Sequence, residues 1–370
     1  MHYLDHAATT PLRPEALVAM QQQWRQVGNP SSLHSAGRQA RRVVEESREQ
    51  IAALVGAKPA DIIFTSGGTE ADNLAVKGIA RSSAKRRVLV SAVEHHAVLD
   101  PAQALVDEGY EVQSIPVDQF GVVDVIALEE MLDDDVALVA VMWANNEVGT
   151  IEPIDDVAEL CRRRGVPLHC DAVQMLSEPE LDVARIPSVA LSAHKVGGPV
   201  GVGALVLDRD LSVRPLMHGG GQERDVRSGT VDAAGIAGFA AALSAPEPDV
   251  RTLRDELIAG VQQAVPEAIL NGDPDHRLAN NAHFSFPGCP GDALLMLLDA
   301  AGIAVSTGSA CTAGIPQPSH VLIAMGADES VARSSVRFSL GWDSAPEDVA
   351  AVCRALPSAV ERARRAGGLR

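Results

Sequence analysis

Residues 169–198, HCDAVQMLSEPELDVARIPSVALSAHKVGG, decide how the rest of this 370-residue chain is read. The apolar run GVPLHCDAV (165–173) carries Asp171 near its end. The run SVALSAH (188–194) leads into Lys195 and the turn residues Gly197 and Gly198. Both runs have the length and composition of strands buried in a parallel sheet. Such strands deliver their C-terminal ends to one rim, where α/β proteins place ligands. A lysine on that rim can form a Schiff base with a carbonyl cofactor, and an aspartate can hold a cationic ring nitrogen. A plain salt bridge between two loop residues accounts for the same pair taken alone. Ser192, His194 and Gln174 crowd the same rim and favour the chemical reading.

Working outward, the same pattern extends from Asp61 to Ala245. DIIFTS (61–66), VLVSAVE (88–94), VQSIPV (112–117), ALVAVMWA (137–144) and VGALVLD (202–208) read as strands separated by helices. Strands alternating with helices imply an α/β fold with a mostly parallel, doubly wound sheet. Before this block, Pro11 and Pro14 introduce a helix from Glu15 to about Gln26. A long amphipathic helix follows from Ser35 to Val55, with Gly56 as its C-cap. SAPEPD (244–249) marks a boundary. Beyond it, helix 250–265, strand AHFSF, helix GDALLMLLDAAG, a loop, strand SVRFSLG and a final helix read as a smaller α+β unit.

The formal net charge of −18 argues against a nucleic-acid surface, and no direct nucleic-acid binding is expected. Arg162–Arg164 read as a solvated helix end. No apolar run reaches membrane-spanning length, and MHYLDHAATTP lacks the basic start and apolar core of a signal peptide, so a cytoplasmic location is expected. The five cysteines are scattered without a CxxC pair, which indicates neither a disulfide framework nor a metal site.

Several motifs carry chemistry. SGGTE (66–70) lies where a strand feeds a helix, so Gly68 and Thr69 offer backbone amides and a hydroxyl to a phosphate; a merely capped helix start is the plainer alternative. His95 and His96 close a run read as a strand, so only one of the two should enter the site, where it could stack on a planar ring and shuttle protons; a satisfied surface histidine is the plainer reading of the pair alone. Asn145 and Asn146 in WANNEVGT are a ligand-contacting pair or an Asn-rich turn. MHGGGQERDVRSGT (217–230) sets Arg224, Arg227, Ser228 and Thr230 among glycines, as an anion site or a surface loop. STGSACTAG surrounds Cys311 with small polar residues, as a reactive thiol requires, whereas Cys161, Cys170, Cys289 and Cys353 lie in or beside apolar elements as packing residues. Arg337, inside a strand, needs an anion: a substrate carboxylate or a structural partner.

In order along the chain, YLDHAATTP, GNPSSLH, FTSGGTEADNLA, EHHAVLD, NNEVGT, HCDAVQ, SAHK, MHGGGQERDVRSGT, STGSACTAG and RFSLG make this sequence resemble the cysteine desulfurases of the NifS/IscS type, in the class V aminotransferase group of pyridoxal-phosphate enzymes. The resemblance implies the type I fold of these enzymes: a large domain (14–245) with a mostly parallel seven-stranded sheet, and a small domain (1–13 and 246–370) carrying the cysteine loop. It implies pyridoxal 5′-phosphate bound through Lys195, with Asp171 on the pyridine nitrogen, His95 on the ring and Gln174 on the phenolic oxygen. Gly68, Thr69, Ser192 and His194 would hold the phosphate, and Asn146 would contact cofactor and substrate. Thr230 would reach the phosphate of the neighbouring subunit of a homodimer, and Arg337 would clamp the carboxylate of L-cysteine. Cys311 would take the sulfur as a persulfide, with Lys195 and His95 as its catalytic partners, and pass it to acceptor proteins for iron–sulfur cluster assembly or tRNA thiolation. The resemblance leaves open the choice among an iron–sulfur scaffold, a tRNA thiolase and DNA-sulfur-modification machinery. Two departures stand out: Ala193, where many relatives have glycine, and MLSEPELD after Gln174.

Overall fold

The computed structural model describes residues 1–178, 181–308, 318–366 and 368. The strands are β1 His2–Tyr3, β2 Ile62–Thr65, β3 Arg87–Ser91, β4 Glu111–Ile115, β5 Val136–Ala140, β6 Leu168–Asp171, β7 Ser188–Ser192, β8 Gly203–Leu207, β9 Ile269–Asn271, β10 Asn281–Ser285, β11 Ile303–Ala304 and β12 Ser335–Ser339. The α-helices are α1 Pro14–Trp24, α2 Ser35–Val55, α3 Gly68–Ser82, α4 His96–Val106, α5 Val125–Met131, α6 Ile154–Arg164, α7 Ala233–Ser244, α8 Arg251–Ala264, α9 Gly291–Ala300, α10 His320–Ala324, α11 Glu329–Ala332 and α12 Pro346–Ala366.

Seven strands form one sheet in the order β2-β8-β7-β6-β5-β3-β4. Neighbours from β7 through β4 run parallel, while β8 is antiparallel to both β7 and β2. Residues 193–202 join β7 to β8, and a link that short cannot make the crossover a parallel pair needs. Strands β5, β7 and β8 are buried at every position, which is why they read as unbroken apolar runs. Their side chains alternate between two cores. Val189 and Leu191 join α2, α6 and α7 on one face, and Ala190 joins α3 and α4 on the other. Gly56 ends α2 in the left-handed conformation, φ 74°, as a C-cap glycine should.

A third core gathers Leu4, Phe284, Phe286 and Phe338 with α8, α9 and α12 around the antiparallel sheet β12-β10-β9. The N-terminus belongs to it: β1 pairs in parallel with β11, His2 opposite Ile303. From Leu4 the chain crosses to the large sheet, where the Thr10 N–H donates to the His194 carbonyl at 2.9 Å. Helix α1 ends at Trp24, two residues before the expected boundary. No helix among the described residues is long and apolar enough to cross a membrane.

Candidate active site

The C-terminal ends of β6 and β7 and the N-terminal ends of α3 and α4 meet in a cavity of about 370 Å³, closed on its far side by Arg337 of β12 and by Ser306 and Gly308. Asp171 is the last residue of β6 and is buried; its Oδ1 accepts the Val173 N–H at 2.9 Å. Burial pushes its carboxyl upward, and nearby His95 and Lys195 pull it back. Lys195 ends a tight turn, Ala193–Lys195, that follows β7. Its Nζ donates to the carbonyls of Ala7 at 2.6 Å and Ala8 at 3.0 Å, not to Asp171. Burial first, then Arg337, lowers its pKa to about 8, against the opposing pull of Asp171 and Asp5. An amine so placed is part neutral near physiological pH and nucleophilic.

Strand β3 stops at Ser91, so the two histidines do not alternate across a strand. His95 is the N-cap of α4, its Nδ1 accepting the Ala97 N–H at 3.1 Å, and His96 is the first helical residue. Both line the cavity, which corrects the expectation that only one enters: neither lies on a strand, so the alternation that would part them does not apply. With Nδ1 used as an acceptor, the proton of neutral His95 sits on Nε2. Burial lowers the His95 pKa against the attraction of Asp171, favouring that neutral form.

Gly68 and Thr69 begin α3 and line the cavity. The preceding Gly67 adopts φ 148°, and a Cβ on Gly203 would lie 2.6 Å from the Gly67 Cα, so glycine is required both in the turn and at the start of β8. Glu70 anchors it. Burial would raise the carboxyl, but the Arg227 guanidinium (2.8 Å) and the Ser66 N–H (2.6 Å) hold it below its usual range. Ser192, Gln174, His194 and Asn146 also line the cavity. Gln174 Nε2 donates to Ala7 O at 3.1 Å, and His194 Nδ1 lies 3.2 Å from Thr9 Oγ1. Burial, then Lys195, takes the His194 pKa down to about 4.

Asn145 plays no part in the cavity. Its Oδ1 accepts the N–H groups of Glu147 and Val148 and its Nδ2 donates to Val93 O, so it is the turn-forming member of the pair. Arg337 is buried; Nη1 donates to Asn146 O at 2.7 Å, Nη2 to Asp5 Oδ1 at 2.8 Å, and Nε has no partner among the described residues. Arg224 and Arg227 are not an anion site within this chain: Arg224 donates to Ala60 O and Leu207 O, and Arg227 is committed to Glu70. Thr230 is exposed and borders a separate groove with Gln222 and Arg48. Cys311 lies outside the described residues; the described chain before it ends at Gly308, on the cavity wall. Cys161 and Cys170 are buried, and burial raises both thiols, that of Cys161 to about 12.

Sequence reasoning missed four acidic or histidine side chains that line or border the cavity. Asp72 stands one helical turn after Gly68, and the period of α3 was the signal available. Its Oδ1 lies 3.1 Å from Nε2 of buried His169, whose Nδ1 lies 2.9 Å from Ser188 Oγ. Glu94 accepts the Met142 N–H at 2.5 Å. His320 Nε2 donates to Glu94 O at 2.9 Å, and its ring meets that of His96 edge-on at 5.2 Å. Glu147 accepts from Ser319 Oγ at 2.5 Å. No local pattern announced the last three, because their partners are far apart in sequence.

The family model described as aminotransferase class-V matches residues 2–352. The chain is 55% identical to an IscS-like cysteine desulfurase of Mycobacterium tuberculosis, over 99% of this chain and 98% of that protein. It is 42% identical to the cysteine desulfurase IscS of a Clostridium botulinum strain, over 98% and 95%. Among solved structures, a NifS-like protein superposes with a TM-score of 0.89 at 34% identity, covering 97% of this chain and 98% of the other.

Proposed function

We propose a reaction from one premise: the chain belongs to the class-V aminotransferase family and, within it, to the cysteine desulfurases, which depend on pyridoxal 5′-phosphate. It acts as a pyridoxal-phosphate-dependent cysteine desulfurase that converts L-cysteine to L-alanine and takes the sulfur as a persulfide. The observation that carries this reading is the single cavity that joins the Lys195 amine, the Asp171 carboxyl, the His95 ring and the first turn of α3.

The cavity residues fit the cofactor. A Cβ on Gly68 would lie 2.9 Å from Val173 Cγ2, so only glycine leaves this backbone bare for close approach. The amides at the start of a fifteen-residue helix suit a phosphate dianion, with Thr69, Ser192 and His194 beside them. Buried Asp171 suits a protonated ring nitrogen, which would supply the positive charge its own burial lacks. When bound, the cofactor supplies an electron-withdrawing ring that stabilises negative charge on the α-carbon of an attached amino acid.

The chain's own residues do the rest. Lys195 offers a partly neutral amine to a carbonyl carbon and later returns as a base or nucleophile. His95, its Nε2 protonated and its orientation fixed by the Ala97 cap, moves a proton at the cavity wall. Gln174 and Asn146 orient polar groups of the ligand, and Arg337 meets the substrate carboxylate. Cys311 is the sulfur acceptor: its thiolate forms an S–S bond as the carbon–sulfur bond of the substrate breaks, and alanine leaves. Cys311 follows Gly308, on the cavity wall, by three positions in the chain, a stretch that spans at most about 11 Å.

The proposal extends to a homodimer in which Thr230 serves the partner's site, to a cytoplasmic location, and to iron–sulfur scaffold or tRNA-thiolation proteins as acceptors. It also retains the division into a large domain (14–245) and a small one (1–13 with 246–370). Incubation with sulfur-labelled L-cysteine tests it: stoichiometric alanine and labelled persulfide on Cys311 are expected, and release of pyruvate or of a transaminated product would overturn it.

A further inference from the structure

We propose that Asp5 is a positioning residue that holds Arg337 ready for the substrate carboxylate. The inference rests on the reading of Arg337 given under the proposed function. Arg337 Nη2 donates to Asp5 Oδ1 at 2.8 Å and Nη1 donates to Asn146 O at 2.7 Å, so both ends of the guanidinium are fixed. Arg337 lines the cavity and Asp5 does not. The aspartate therefore holds the guanidinium from outside, without taking the place of a ligand. An arginine has several rotatable bonds, and one left free would lose that freedom on capturing a carboxylate; one already fixed does not.

Asp5 is itself anchored. Its carbonyl accepts the N–H groups of Ala8 at 3.0 Å and Thr9 at 3.3 Å, and it bridges in parallel to Ser339, two residues from Arg337 on β12. The same short segment reaches the other wall of the cavity. Ala7 and Ala8 carbonyls hold the Lys195 amine, Ala7 O also accepts from Gln174, and Thr9 Oγ1 meets His194. Residues 5–9 thus set the distance between the arginine that meets the carboxylate and the lysine that meets the carbonyl. A one-residue shift of this segment would misplace both.

The test uses the cofactor-loaded protein and L-alanine, a carboxylate ligand that retains no sulfur to transfer. Asp5→Ala is expected to weaken L-alanine binding, measured by calorimetry, about tenfold, and to raise KM for L-cysteine similarly, with the loss falling on KM rather than on kcat. Asp5→Asn keeps an acceptor at Oδ1 without the charge, and is expected to recover part of the affinity, leaving about a threefold loss. L-alanine binding by Asp5→Ala as tight as that of the unaltered protein, or tighter, overturns the role. Should Asp5→Ala not fold, Asp5→Asn decides: a loss supports the role, and unchanged or tighter binding overturns it. An unaltered protein that releases no alanine from L-cysteine defeats the desulfurase reading instead, so the two failures are distinguishable.

Discussion

Lys195 Nζ donates to the Ala7 carbonyl at 2.6 Å, so the amine of the large sheet is held by the N-terminal segment of the chain rather than by Asp171. Deep burial, and then the nearby Arg337 charge, disfavour the ammonium form, and its pKa falls to about 8. The rate at which the cofactor-free protein takes up pyridoxal phosphate should therefore rise with pH and level off above about 8, not near the value of a free lysine. Stopped-flow visible absorbance measures this, and Lys195→Ala should show no such absorbance band.

His95 combines two duties that one substitution can separate. Its Nδ1 caps α4, a contact whose loss typically costs about 1 kcal/mol. Asparagine can cap equally but cannot shuttle a proton. His95→Asn should melt close to the unaltered protein and yet lose about 100-fold or more in kcat, whereas His95→Ala should lose both. Thermal unfolding and steady-state kinetics on the two variants make the comparison; equal activity in His95→Asn would remove the proton-transfer role.

Glu152 should cost stability as pH rises. Its Oε2 accepts the Val123 N–H at 2.8 Å, Oε1 is buried without a partner among the described residues, and burial lifts its pKa to about 8. Between the ordinary carboxylate range and pH 8 the unfolded chain has released this proton while the folded one keeps it, so the Glu152 contribution to folding free energy falls across that window. Glu152→Gln removes the titration. The variant should gain on the unaltered protein from about pH 5 to pH 8, reaching at most a few kcal/mol, as read by urea unfolding at each pH.

Thr230 is exposed in the single chain and does not line the cavity, and its proposed role at the partner's phosphate can be tested directly. Thr230→Ala should weaken cofactor retention several-fold without lowering the melting temperature. Mixing Lys195→Ala chains with Thr230→Ala chains should restore one competent site per mixed dimer. Equilibrium dialysis of the cofactor and activity of the mixture check this; a mixture no better than its components would contradict the shared site.

Gly203 faces Gly67 across the strand–helix turn, with no room for a methyl group: its Cβ would come within 2.6 Å of Gly67 and of Leu191 O. Gly203→Ala should destabilise the fold by about 1–3 kcal/mol and displace the first turn of α3. A drop in phosphate affinity measured with inorganic phosphate should accompany the lower melting temperature.

Much of this was readable along the chain. The unbroken apolar runs gave β5, β7 and β8 because strands covered on both faces leave no polar side. Gly56, Gly67 and Gly68 announced a helix end and a helix start, since positive φ and bare backbone are local demands. Asp171, Lys195, Ser192 and Gln174 share a rim because parallel strands end together. The His95–His96 pair was misread where a strand was extended three residues past Ser91 into a helix cap.

What the sequence alone determined, then, were features written in neighbouring residues: the α/β alternation, the turns, and which side chains reach one sheet edge. The tertiary structure decided what depends on long closures of the chain. Only folding brings Asp5 to Arg337 at 2.8 Å and Ala7 to Lys195 at 2.6 Å, pairs that no periodicity links. The amine's lowered pKa follows from that enclosure, because burial is a property of the packed whole and is invisible in any single stretch.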